Sequence, residues 1–83
     1  MSVEQMIAVQ QASLYVFKEK NEDYGDAWRE YGLVGVITRI QDKINRCLNI
    51  TKKGITIVDS ETLQDTLLDL HNYSAMALMV INT

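Results

Sequence analysis

The side chains best suited to chemistry in this chain fall into three stretches. In the last of them Asp65 and Asp69 stand four residues apart, with Glu61 one turn upstream and Asn72 and Tyr73 one turn downstream. On a helix these carboxylates share a face. Like charges at that spacing cost a helix a few tenths of a kcal/mol per pair, so something should offset them. A hard divalent cation, Mg²⁺ or Mn²⁺, would do so by taking carboxylate oxygens while leaving positions for water and phosphate oxygens. A solvated stripe paired with Lys or Arg from a neighbouring helix is the plainer alternative.

Arg39, Asp42, Lys43 and Arg46 form the second group, again at three- and four-residue steps. Asp42 and Arg46 are spaced to pair along a helix. If this helix packs antiparallel to the one bearing Asp65 and Asp69, its mostly basic face meets the acidic one, with Arg and Lys available for phosphate oxygens. The third group is the connection from Lys18 to Arg29, where Tyr24 and Trp28 offer aromatic surface and Asp23 and Asp26 are weaker metal ligands. The lone Trp28 also suits a core or interface anchor. Other features carry less. His71 has no His or Cys at ligand spacing, Cys47 falls on an apolar stripe, and Lys52-Lys53-Gly54 lacks the glycine pattern of a phosphate loop.

The elements that must position these groups follow from composition. Eighty-three residues with 47% hydrophobic side chains make one folded domain, 1–83, whose monomer would be marginal. Eight Lys plus Arg against eleven Asp plus Glu leave a net charge of −3, which argues against general nucleic-acid binding and against a polybasic membrane anchor. One cysteine excludes an internal disulfide and suits a reducing compartment. The start of the chain lacks a basic, apolar leader, and the apolar stretch Ser74 to Ile81 is far short of a membrane span, so a cytoplasmic protein is expected.

With no proline and four glycines, helices dominate. The first is expected from about Val3 to Asn21, with Val3, Met6, Ile7, Leu14 and Phe17 on one stripe that Gln10 interrupts. A short helical turn follows from Ala27 to Gly32. The second helix is expected from Gly32 to about Leu48, with Val36, Ile37, Ile40, Ile44, Cys47 and Leu48 as its apolar face. The segment from Asn49 to Ser60, with its β-branched run Ile55 to Val58, reads as an ordered loop or small hairpin, and Asp59 or Ser60 as the cap of a third helix ending near Ile81. The C-terminal half of that helix is apolar all round. The predicted architecture is therefore all-α: a small antiparallel unit of three main helices that completes a bundle by homo-oligomerisation.

Three blocks in order, 20–29, 32–46 and 61–73, resemble the nucleotide modification associated domain 1 family, whose members are common in bacteriophages and prophages. The resemblance implies a role in nucleotide metabolism or modification. The third block also looks like the all-α nucleotide pyrophosphohydrolases of the MazG type, in which helical Glu and Asp residues hold Mg²⁺. That likeness implies Asp65 and Asp69 as the acidic pair, with Asn72 and Tyr73 lining the nucleotide. The earlier helix departs from the MazG pattern, offering Asp42-Lys43 between Arg39 and Arg46 where a glutamate-rich motif is usual. Together these imply a nucleotide-binding protein: Asp65, Asp69 and Asp42 for metal, Lys43, Arg39 and Arg46 for phosphates, Tyr24 or Tyr73 for the base. Metal-dependent pyrophosphohydrolysis, sequestration of an intact signalling nucleotide in counter-defence, and a helical protein-interaction module are the three functions this leaves open.

Overall fold

The computed structural model describes residues 1–54 and 56–82. They form three α-helices, α1 (Ser2–Tyr24), α2 (Gly32–Lys52) and α3 (Ile57–Ile81), with a 3₁₀ turn (Ala27–Tyr31) between the first two. No strand occurs among the described residues, so the protein is all-α as predicted. None of its helices, over those residues, is long and apolar enough to cross a membrane.

Glycine places the first break. Gly25 ends α1 at φ +60° and Gly32 ends the 3₁₀ turn at φ +66°, a region that L side chains rarely adopt. The second break is shorter than its sequence suggests. Helix α2 runs on to Lys52 and α3 begins at Ile57, which leaves Lys53, Gly54 and Thr56 as the described part of a short connection; Ile55 lies outside the described residues. The cap is Thr56, not Asp59 or Ser60. Its hydroxyl oxygen accepts from the Asp59 N–H at 3.1 Å, while the Asp59 carboxylate accepts from the Thr56 N–H at 3.3 Å and from its hydroxyl at 2.9 Å. This reciprocal box is worth about 1 kcal/mol, more than the few tenths by which Ile57 and Val58 disfavour a helix. Both β-branched side chains accordingly enter the first turn of α3, where they are exposed.

Helix α3 is the shared wall. It runs antiparallel to α2, since Lys43 meets Asp69 while Val36, seven residues earlier, packs with Met76, seven residues later. Helix α1 leans on α3 at two polar points. Asn72 Nδ2 donates to the Ser13 carbonyl at 2.9 Å, and Lys20 Nζ to Asp69 Oδ1 at 2.7 Å. Ser13 is 1% exposed, small enough for the close approach, and its hydroxyl has no hydrogen-bond partner among the described residues.

The core is small: Val36, Met76 and Ala77 are buried, ringed by Phe17, Trp28, Ile40 and Tyr73. Of the stripe expected to bury α1, only Phe17 packs on this core, while Val3, Met6, Ile7 and Leu14 are exposed. On α2, Ile37, Ile44 and Leu48 are likewise exposed, as are Leu78 and Ile81 on α3. The accessible surface is 6371 Å² for a 9.5 kDa chain. A compact monomer of that mass exposes about 5,000 Å².

Because one threonine closes the N-terminus of α3, Thr56→Ala should lower stability by about 1 kcal/mol and the melting temperature by about 4 to 8 °C. Thermal melts followed by circular dichroism check this. An unchanged midpoint would mean that packing, not the cap, fixes where α3 begins.

Candidate functional site

The site is organised by one carboxylate. Asp69 Oδ1 accepts from Lys20 Nζ at 2.7 Å and its Oδ2 faces Lys43 Nζ at 3.4 Å, so a single α3 side chain answers to cations on both other helices. Asp69 is 17% exposed and Lys43 25%, whereas Lys20 is 56% exposed. Partial withdrawal from water strengthens the inner pair relative to the outer one. The basic face of α2 thus does approach the acidic face of α3, through Lys43. Asp42 and Arg46, spaced to pair along α2, make no ion pair with each other among the described residues, and Glu61 and Asp65 are exposed.

Beside Asp69 lies a cavity of about 780 Å³, within the size range of small-molecule sites. Its lining follows the helical period on each element. Phe17, Lys20, Asn21 and Tyr24 come from α1, and Asp69, Asn72, Tyr73 and Met76 from α3, both at steps of three, four and seven residues. Tyr31 from the 3₁₀ turn, with Gly35, Thr38 and Arg39 from α2, repeats the pattern. Three faces chosen by the same periodicity therefore meet, and Trp28 from the turn closes one side. Gly35 is required here, because a Cβ at that position would sit 2.5 Å from the Tyr31 Cβ.

Polar groups are fixed around this aromatic lining. The Asn21 amide, oriented as a donor, reaches the Gly25 carbonyl at 2.8 Å and Asp26 Oδ1 at 3.2 Å. Asn72 spends its amide N–H on Ser13 and keeps its oxygen as an acceptor. The Arg29 guanidinium stacks 4.7 Å from the centre of the Trp28 ring, while the shielded Trp28 Nε1–H has no acceptor among the described residues.

A second cavity, of about 520 Å³, lies further along α2 and is bordered by Arg39, Asp42, Lys43, Asn45, Arg46, Asn49, Ile50, Lys53 and Asp59. Arg39 belongs to both. The residues read from the sequence as one site are thus divided: Tyr24, Arg39, Asp69, Asn72 and Tyr73 line the larger cavity, and Arg39, Asp42, Lys43 and Arg46 the smaller. Asp65, Asp23 and Asp26 line neither, Asp26 facing Arg29 at 3.8 Å. Phe17, Lys20, Asn21, Tyr31 and Thr38 are not marked as site residues by the sequence, and Lys53 lies in the Lys52-Lys53-Gly54 turn that its glycine pattern argues against. Their signal was the shared helical face, visible for α1 as Phe17, Lys20, Asn21 and Tyr24.

The donors a Mg²⁺ or Mn²⁺ ion would call on here are carboxylates. Among the described residues no group of three or more His, Cys, Asp or Glu side chains converges to hold an ion, and Asp69 is committed to two lysines.

A family model described as nucleotide modification associated domain 1 matches residues 20–81. That span covers every residue of both cavities except Phe17. No curated protein and no solved structure matches the chain significantly.

Two substitutions probe this geometry. Asp69→Asn should cost about 1 to 2 kcal/mol, because it leaves two ammonium groups facing no charge, whereas Lys20→Met at the exposed end should cost only a few tenths. Denaturant titration of both checks the ordering; a neutral Asp69→Asn would show that the ion triad does not hold the helices. Gly35→Ala should displace Tyr31 and shift the emission of Trp28 even where the fold survives.

Proposed function

Because this chain belongs to the nucleotide modification associated domain 1 family, we propose that its larger cavity binds a nucleotide and holds it intact. The observation that carries this reading is the convergence of five aromatic rings, Phe17, Tyr24, Trp28, Tyr31 and Tyr73, with Arg39 and Lys20 around one cavity of about 780 Å³. Aromatic faces stack any base at roughly 1 to 3 kcal/mol each, and guanidinium groups match phosphate oxygens in pairs. Arg39 makes no ion pair among the described residues and is free for that task, while Lys20 is shared with Asp69. The Asn72 oxygen supplies an acceptor for a base or sugar donor, and a ligand acceptor would satisfy the unpartnered Trp28 N–H.

Hydrolysis of the MazG kind needs several carboxylates around its ions. Here Asp69 is held by Lys20 and Lys43, Asp42 borders the other cavity and Asp65 neither, an arrangement that favours binding over cleavage. Self-association is part of the same proposal. The chain exposes over 1,000 Å² more than a compact monomer of its mass, which is about what each partner buries in a stable dimer. A second copy seated on the exposed apolar side chains of α1 and α3 would cover it.

The test is incubation with a panel of ribo- and deoxynucleotides, with and without Mg²⁺, read by melting temperature and by chromatography. A nucleotide that raises the melting temperature and is recovered uncut is expected, with Tyr73→Ala and Arg39→Ala each weakening it about tenfold. Metal-dependent release of a monophosphate and pyrophosphate would replace this reading with an enzyme, and silence across the panel would end it. Sedimentation should give a mass above that of one 9.5 kDa chain; a monomer at micromolar concentration would remove the self-association.

A further inference from the structure

We infer that the smaller cavity is an anion site in its own right, built for a chain of linked phosphates. Four cations border it: Arg39, Lys43 and Arg46 on α2, and Lys53 just beyond. Lys43 is engaged by Asp69, but Arg39, Arg46 and Lys53 make no ion pair among the described residues. Of the two acids on the rim, Asp59 spends its carboxylate on the Thr56 N–H and hydroxyl, and Asp42 leaves Arg46 unpaired. Three cations without an ion pair among the described residues thus share one cleft with a single uncommitted carboxylate, Asp42, in a chain whose net charge is −3.

This concentration is costly without a ligand. Arg39, Lys43 and Arg46 stand at steps of four and three on one helix, where like charges repel and Asp42 is the one acid among them to offset the repulsion. The negative end of the α2 dipole answers for Lys53 alone, since its influence fades within the last turn and Arg39 lies far from it. A multiply charged anion would relieve all of them. From Arg39 to Arg46 the cleft follows α2 for about 10 Å, which no single phosphate spans but three linked phosphates can, and Lys53 prolongs the row. The amide N–H groups of Asn45 and Asn49 add neutral donors along the way.

Such a chain has two sources, a free oligophosphate or the phosphate tail of a nucleotide whose base lies in the neighbouring cavity, and Arg39 borders both. Calorimetric titration with inorganic tripolyphosphate, a nucleoside 5′-triphosphate and the matching 5′-monophosphate separates them. Tripolyphosphate should bind, more weakly as salt rises. The double variant Arg46→Gln with Lys53→Gln, checked for unchanged helicity, should weaken it about tenfold or more, while Tyr73→Ala leaves it unchanged. If the triphosphate exceeds the monophosphate in affinity and the double variant abolishes that excess, the phosphates are the nucleotide's own. If the double variant weakens free tripolyphosphate alone, the site is separate. Absence of tripolyphosphate binding, or binding indifferent to the double variant, overturns the inference. Binding of the monophosphate is governed by the other cavity, so loss of either result leaves the other standing.

Discussion

Everything else in this fold is arranged around the carboxylate of Asp69. Among the described residues it is the α3 side chain whose ion pairs reach both α1 and α2, through Lys20 and Lys43. With Val36, Met76 and Ala77 the only apolar side chains buried among the described residues, hydrophobic packing alone leaves the helices much freedom to slide. Directional contacts then matter more than they would in a larger protein. The Asp69 triad and the bond from Asn72 to the Ser13 carbonyl fix α1 against α3, and that placement holds the Phe17 to Tyr24 face against the cavity.

The fold class was legible because its signals are local. Absence of proline, glycines at the breaks and three- to four-residue spacing marked three helices, and their order carried the family resemblance that the match over 20–81 bears out. The start of α3 was misjudged because Thr56 and Asp59 cap each other, and a β-branched run looks like a strand until its cap is counted. The α1 stripe failed for another reason. Spacing states that Val3, Met6, Ile7 and Leu14 share a side of the helix, but not that anything within the same chain covers them.

The site was legible residue by residue and not as a whole. Tyr24, Arg39, Asn72 and Tyr73 do meet, since their positions on α1, α2 and α3 follow the same period. Whether Asp69 takes an ion or an ammonium group depends on which side chains the other helices bring to it, and Lys20 is 49 residues away along the chain. The split into two cavities is likewise a property of packing: α2 is long enough to border one with its first half and the other with its second.

Arg39 stands at the seam between those halves, and this has a consequence for how such a protein can change through descent. A replacement favoured because it suits an occupant of one cavity is felt at once in the other. Residues such as Tyr73 or Lys53, each confined to a single cavity, can vary without touching the other. Position 39 has no such freedom, and drift in either preference must work around it.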